Sequence, residues 1–286
     1  MATLLVTGGT GNLGGHVVGQ LLRAGHQVRV ASRGPAVPTG RGPAVPTGGE
    51  PAVPTGRGPA VTGTGDEQWY QVDYRSRAGL DVALAGVDTV VHCASGSARG
   101  EAESMAALLS SGRRAGLRHL IYISIVGVDR LPLGYYRAKF AAEKSLITSG
   151  MGWTVLRATQ FHDLAMTMTE AMLKLPVGVI PRGLRCQPVA VEEVAARLIE
   201  LAGGPPQGRT PELGGPEIKT FAELARLYLQ TIGRRKPMVA LPVPGKLMKG
   251  LRRGYGLTPD HGDGMQTFAE FLQVRSLRRR ASGAQE

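Results

Sequence analysis

Apolar residues along the chain fall into short runs that alternate with amphipathic stretches. Thr3 to Thr7 is a compact apolar run that stops at Gly8-Gly9, the form of a strand buried on both faces. Leu13, Val17, Val18, Leu21 and Leu22 then recur at helical spacing, and Gly25 supplies a stop. Gln27 to Ala31 returns to a strand pattern. The alternation resumes at Trp69 to Val72 (strand), Arg77 to Ala85 (helix) and Val87 to Cys93 (strand). Glu103 to Ala115 reads as helix, His119 to Ser124 as strand, Tyr135 to Ser149 as helix and Trp153 to Arg157 as strand. Strands separated by helices predict an α/β fold, a doubly wound parallel sheet covered on both faces. Ligands of such sheets lie outside the carboxyl ends of the strands. Gly14, Arg33, Asp73, Ser95, Ser124 and Thr159 all fall at or just past those ends.

One stretch breaks the pattern. Residues 34–40 and 42–48 both read GPAVPTG, and partial copies follow at 51–56 and 58–61. Proline every few positions prevents a backbone ladder, so 34–65 is expected to be a low-complexity, disordered surface insertion. Beyond Arg157 the pattern is less regular. Val191 to Ala202 and Thr220 to Ile232 are amphipathic helices, the second opened by a Thr220/Glu223 capping box, and Leu241-Pro-Val-Pro-Gly245 suggests irregular connections. The expected organisation is a core over 1–160, interrupted by the insertion, and a smaller, irregular region over 161–286 that packs over the crevice and contacts substrate.

The turn after the first strand carries the strongest chemical signal. Thr7-Gly8-Gly9-Thr10-Gly11-Asn12-Leu13-Gly14 fits both Gly9-x-Gly11-x-x-Gly14 and Gly8-x-x-Gly11-x-x-Gly14. Glycines let the backbone turn sharply and approach a pyrophosphate, and the helix that opens there offers unpaired N–H groups and a partial positive charge. The strand–turn–helix–strand setting is the one a dinucleotide-binding turn requires. At the end of the second strand, where an acid would hold a ribose 2′-hydroxyl, the chain has Ser32-Arg33 and no acid before Glu50. A hydroxyl and a guanidinium suit a 2′-phosphate, so NADP(H) is favoured over NAD(H).

Composition narrows the partners. Of the 286 residues, 42% are hydrophobic and 20% charged, and no apolar run is long enough to span a bilayer, so no membrane partner is expected. Two cysteines, Cys93 and Cys186, argue against a disulfide framework and for a reducing, cytoplasmic setting. The net charge of +12 is concentrated late: from Thr231 onward there are eleven Lys and Arg against four acids. Such a basic tail attracts RNA, acidic partners or anionic lipid in general. Without aromatics interleaved to stack bases, nucleic acid is not the expected partner. His92 and Cys93 end a buried strand and read as core, with no second ligand pair at metal spacing. His162-Asp163 follows the sixth strand and is a candidate for the substrate pocket.

Together these residues resemble the short-chain dehydrogenase/reductase superfamily, in its atypical, NmrA-like and isoflavone-reductase-like branch. The resemblance rests on Thr7-Gly8-x-x-Gly11-x-x-Gly14, Arg33, Asp73, Val90-Val91-His92-Cys93-Ala94, Tyr122-Ile-Ser-Ile-Val-Gly127, Tyr135-Tyr-Arg-Ala-Lys139 and Trp153-Thr-Val-Leu-Arg157. It covers 1–33 and 66 to about 165 well and the C-terminal third loosely. It implies a Rossmann fold that binds NAD(P), with Asp73 near the adenine and Ala94-Ser95 along the cofactor. It implies a catalytic set of Ser124, Tyr135 and Lys139, with Lys139 also holding the nicotinamide ribose and Tyr136 as a neighbouring alternative to Tyr135. The chemistry is intelligible: a tyrosine hydroxyl protonates a carbonyl oxygen as hydride arrives, a nearby ammonium assists, and a serine hydroxyl binds the oxygen. The spacing of four places Tyr135 and Lys139 on one helix face. The implied activity is NADP(H)-dependent reduction of a small carbonyl, quinone or enone-like substrate. The alternative is a non-catalytic redox sensor of the NmrA-like type, whose output is a protein partner.

Overall fold

The computed structural model describes residues 3–34, 67–94 and 96–283. The insertion read from the repeats, Gly34 aside, therefore lies outside the described residues, as does Ser95. In chain order the first elements are β1 (Leu4–Thr7), α1 (Asn12–Arg23), β2 (Val28–Ser32), β3 (Glu67–Gln71) and α2 (Leu80–Leu84). Then come β4 (Thr89–His92), α3 (Ala98–Arg114), β5 (His119–Ile125), α4 (Gly134–Ile147) and β6 (Trp153–Ala158). Next are α5 (His162–Met172), β7 (Gly178–Pro181), β8 (Arg185–Cys186), α6 (Val191–Ala202) and β9 (Gly208–Arg209). The last are β10 (Lys219–Thr220), α7 (Phe221–Thr231), β11 (Met238–Leu241), α8 (Lys246–Arg252) and α9 (Phe268–Gly283).

The chain forms two compact units. One comprises Met1–Ser124, Gly134–Arg157 and Val191–Pro211; the other comprises Ile125–Leu133, Ala158–Ala190 and Glu212–Glu286. The units thus interleave in sequence, where the sequence pattern suggested a single division at residue 160. The reason is local: α6 buries Val194, Leu198 and Leu201 beside α1, and β9 pairs with β6, so both return to the first unit.

The first unit is a parallel seven-stranded sheet in the order β3-β2-β1-β4-β5-β6-β9, the doubly wound arrangement expected from the sequence. Leu5, Val90, Leu120 and Tyr122 point into one layer with Leu80, Leu84, Met105, Leu108 and Leu146 from α2, α3 and α4. Val30 points the other way, towards α1, where a Cβ on Gly9 would meet its side chain at 2.3 Å. Two boundaries differ from the sequence reading. Arg77 and Gly79 have φ of 64° and 75°, so the backbone turns left-handed there and α2 starts only at Leu80. Helix α3 starts at Ala98, earlier than Glu103, because Ser97 caps it by accepting a hydrogen bond from the Gly100 amide.

The second unit is more ordered than its sequence suggested. Helices α5, α7 and α9 enclose a core of Met166, Leu173, Ile180, Phe221, Leu224, Phe268 and Leu272. β7 pairs with β11 in parallel, and β8 with β10 antiparallel. The Thr220/Glu223 capping box is formed in full at α7. The short strands are flanked by proline and glycine, which hid them in the sequence pattern.

The turn between β1 and α1 tolerates no side chain at Gly14, where a Cβ would meet the Gly8 carbonyl oxygen at 2.2 Å. Gly14→Ala is therefore expected to destabilise the protein by about 1–3 kcal/mol in urea unfolding. Gly19→Ala on the same helix, whose Cβ meets nothing closer than the flexible Arg23 side chain at 3.6 Å, is expected to stabilise it by up to about 1 kcal/mol. Equal effects at the two positions would contradict this packing.

Candidate cofactor and active site

Because the strands run parallel, the carboxyl ends of β1 to β5 share one edge of the first unit. The glycine turn leaves β1 there. Gly8 has φ of +69°, and a Cβ on it would meet the Ala94 backbone at 2.6 Å. Only glycine lets the loops after β1 and β4 approach this closely. Helix α1 then opens at Gly11 with no side-chain cap and no acid in its first turn. Its N-terminal amides and partial charge keep their affinity for an anion. Gly8, Thr10, Gly11, Asn12, Leu13 and Gly14 are the residues whose backbone could hold a dinucleotide here. Leu13 is buried, so its side chain belongs to the core.

Not every residue assigned to the cofactor presents its side chain to a ligand. Thr7 is fully buried, and its Oγ1 lies 2.6 Å from His92 Nδ1 and accepts from the Ala94 amide at 3.3 Å. It ties the ends of β1 and β4 together and shapes the turn from behind. Ser32 is also buried and donates to the Gly34 carbonyl at 2.9 Å. Arg33 is exposed and lines a cleft with Gln71, Val72, Asp73, Ala78 and Gly79. Asp73 accepts from the Arg75 amide at 2.8 Å, a bond that holds its carboxyl below the usual carboxylate range. The structure thus brings Arg33 and Asp73 to one cleft. Ser95 lies outside the described residues.

Lys139 is the best-defined polar group of the unit. It is 4% exposed, so it is not on a solvated helix face. Its Nζ donates to Glu101 Oε1 at 3.0 Å, to Tyr122 Oη at 3.2 Å and to the Ile123 carbonyl at 3.0 Å. The ammonium is thus held by three acceptors inside the protein, two of which, Glu101 Oε1 and Tyr122 Oη, lie in nearly the same direction from the nitrogen. Tyr122 donates in turn to Glu101 Oε1 at 2.5 Å. Burial, and then the Glu101 charge, push the Tyr122 hydroxyl well above the usual tyrosine range. His92 stacks on Tyr122 with ring centroids 5.6 Å apart, and burial lowers its pKa to about 4, so it is neutral at physiological pH. The Lys139 ammonium lies 5.7 Å from the centre of the Tyr135 ring, on the face predicted from the spacing of four. Ser124, at the end of β5, is 2% exposed and its Oγ has no hydrogen-bond partner. A buried hydroxyl left this way keeps its hydrogen-bonding capacity for a water or a ligand oxygen.

The sequence reading missed Glu101 and Tyr122. Glu101 stood outside the predicted helix, and Tyr122 sat within an apolar strand. The signal was available: a tyrosine in a strand buried on both faces needs an acceptor for its hydroxyl. His162 is corrected. It is buried in the second unit, with Nε2 3.1 Å from the Gln266 carbonyl oxygen and its ring stacked on Phe271 at 5.0 Å, and Asp163 accepts from Arg275. Both are packing residues of α5 and α9. Cys93 and Cys186 are buried and free, with thiols pushed up to about 12 by burial. Among the described residues no group of His, Cys, Asp and Glu could hold a metal ion. None of the described helices is long and apolar enough to cross a membrane.

Comparison with known proteins places this geometry. A family model described as NAD(P)H-binding matches residues 56–202, half of the chain. The chain belongs to this NAD(P)H-binding family. That match starts after the glycine turn, so the turn is assigned on its own geometry. The chain is 30% identical over 237 residues to a (4-alkanoyl-5-oxo-2,5-dihydrofuran-3-yl)methyl phosphate reductase of Streptomyces griseus, covering 81% of this chain and 74% of that protein. It is 28% identical to quinone oxidoreductase 2 of Escherichia coli, over 58% of each chain. In fold it is similar to an NADPH-dependent quinone oxidoreductase from E. coli solved with NADPH, with a TM-score of 0.75, 20% identity, and 95% of this chain and 99% of that one covered.

The buried pair makes a quantitative prediction. Lys139→Met leaves a buried carboxylate and Glu101→Gln a buried ammonium, so each is expected to cost about 3–5 kcal/mol in urea unfolding. The double variant Glu101→Gln/Lys139→Met removes both charges and keeps an acceptor for Tyr122. It should regain most of the loss. A double variant no more stable than the singles would show that the charges do not compensate one another.

Proposed function

We propose that this protein is an NADPH-dependent reductase of a small carbonyl, quinone or enone-like substrate. The observation that carries the reading is the pairing of a glycine-rich turn at a helix without a side-chain cap with a buried, unpartnered Ser124 hydroxyl at the same sheet edge. Its relatives' names, a quinone oxidoreductase and the reductase of an unsaturated lactone phosphate, support the substrate class. The preference for NADPH over NADH rests on Arg33, which stands exposed past β2, where the sequence carries no acid between Ser32 and Glu50.

The bound NADPH supplies a hydride. The chain's residues then have separate tasks. Arg33 holds a 2′-phosphate by its guanidinium. Ser124 donates its hydroxyl hydrogen to the substrate oxygen and fixes its position. Tyr135, one turn before Lys139 on α4, delivers the proton that the reduced oxygen or adjacent carbon takes up. Lys139 keeps a positive charge beside the Tyr135 ring, held in place by Glu101 and Tyr122.

One observation favours a second reading. Lys139 donates to Glu101, Tyr122 and the Ile123 carbonyl inside the protein, so a ribose or the tyrosine hydroxyl competes with these partners for its hydrogens. A protein that binds NADPH without turnover, and signals through a partner, would keep such a closed arrangement.

Purified protein supplied with NADPH or NADH and a panel of quinones and enones separates the two. The enzyme reading expects NADPH consumption, at least about tenfold more efficient than with NADH, and that ratio lost in Arg33→Ala. Tyr135→Phe is expected to lower kcat by about a hundredfold or more while calorimetric NADPH binding persists. Tight NADPH binding with no turnover of any acceptor would support the sensor. Binding of NADH in preference to NADPH would overturn the cofactor assignment.

A further inference from the structure

The second unit carries a surface that the reductase reading does not use. Between Glu170 and Glu192 the chain has three Lys and Arg, and between Glu223 and Asp260 it has eight, with no acidic side chain inside either stretch. The parallel pairing of β7 with β11 brings the two stretches together. Their register sets Val239 beside Val179 and Leu241 beside Pro181, and Met238 and Ala240 beside Gly178 and Ile180. Ile180 points into the core at 2% exposure, so Val179, Pro181, Val239 and Leu241 lie on the outward face. Val239 is 40% and Leu241 44% exposed, and Val177 and Val243, which flank the strands, are exposed as well.

Cations are fixed around this apolar face. Arg182 Nη2 donates to the Ala240 carbonyl, Arg252 Nη1 to the Val243 carbonyl at 3.0 Å, and Arg185 Nη2 to the Arg252 carbonyl. Lys236 Nζ donates to the Leu173 carbonyl, just before β7. Among the described residues none of these four pairs with a carboxylate. Each is oriented by a neutral oxygen and retains donors for an anion.

We propose that this β7–β11 face docks on an anionic lipid bilayer, apolar side chains entering the headgroup layer and the guanidinium and ammonium groups meeting lipid phosphates. Charge complementarity selects this occupant. Two copies of the chain docked through this face would set cation against cation. Nucleic acid would meet exposed valine and leucine, and neither strand holds an aromatic side chain to stack a base. An apolar patch within a basic rim is the form of a peripheral membrane surface, where hydrophobic insertion and attraction to anionic headgroups add. The surface needs no spanning helix.

Co-sedimentation of the full chain with vesicles tests the proposal. The protein should bind vesicles of equal parts phosphatidylcholine and phosphatidylglycerol at low salt, be released at high salt, and ignore phosphatidylcholine alone. Val239→Ser/Leu241→Ser should weaken binding about tenfold. Arg182→Gln/Arg252→Gln should weaken it and flatten its salt dependence. All four positions are exposed, and thermal melts matching the unaltered protein confirm that folding is intact. No binding to the phosphatidylglycerol vesicles would overturn the proposal. So would binding unaltered in both variants, which would move the site elsewhere, to the arginines of α9 for example. An RNA homopolymer bound as tightly, with no effect of Val239→Ser/Leu241→Ser on either ligand, would replace it with nucleic-acid binding. A dimer in lipid-free solution that the same double variant dissociates would replace it with self-association.

Discussion

A lysine, a glutamate and a tyrosine, all buried, fix the geometry on which the first unit depends. Removing an ammonium and a carboxylate from water is costly, and the cost is offset only where each finds its partners in good geometry. Here Lys139 on α4 meets Glu101 on α3, Tyr122 on β5 and the Ile123 carbonyl in one place. Neither helix can slide along the sheet without leaving a charge unpaired. A second buried pair acts one turn later on α4: Glu143 accepts two hydrogen bonds from Arg157 on β6, at 3.0 and 2.8 Å. The inward face of α4 is therefore ionic where its neighbours are apolar. Shape and charge together place the Tyr135 ring next to the Lys139 ammonium at the start of α4.

The same arrangement frames the chemistry. In a reductase of this family the lysine is expected to serve the cofactor and the tyrosine. In this chain it donates to three acceptors of its own protein, so catalytic use competes with hydrogen bonds already made by the Lys139 nitrogen. Glu101 Oε2 is buried and has no partner, so the carboxylate keeps an unused acceptor inside the protein.

Much of this was legible in the sequence, and the parts that were not share a cause. The strand–glycine–helix–strand opening, Arg33 past β2, and the helix bearing Tyr135 and Lys139 follow from apolar period and local turn chemistry, which act over a few residues. The capping box of α7 is similarly local. Glu101 was missed because its significance comes from Tyr122 and Lys139, 21 and 38 residues away. Thr7 was assigned to the cofactor because it sits in the motif, yet its hydroxyl bonds to His92, 85 residues on. The strands of the second unit were lost to proline and glycine at their ends, although pairing with a distant strand stabilises them. His162 looked like a pocket residue by position and proved to be an aromatic-stacked core residue. The membership of α6 and β9 in the first unit is likewise a matter of long-range packing that no local pattern encodes.

The two margins of the main sheet bear on how the molecule behaves in a crowded solution. A sheet ends in unpaired N–H and C=O groups, which invite another chain to add itself as a further strand. At one margin is β9, only two residues long. At the other is β3, Glu67–Gln71, which carries Glu67, Gln68 and Gln71 and lays Tyr70 beneath the Arg29 guanidinium. One margin is too short to template a partner strand, and the other is polar along most of its length. Among the described residues, both margins are of the kind that discourages a further strand from adding along the hydrogen-bonding direction.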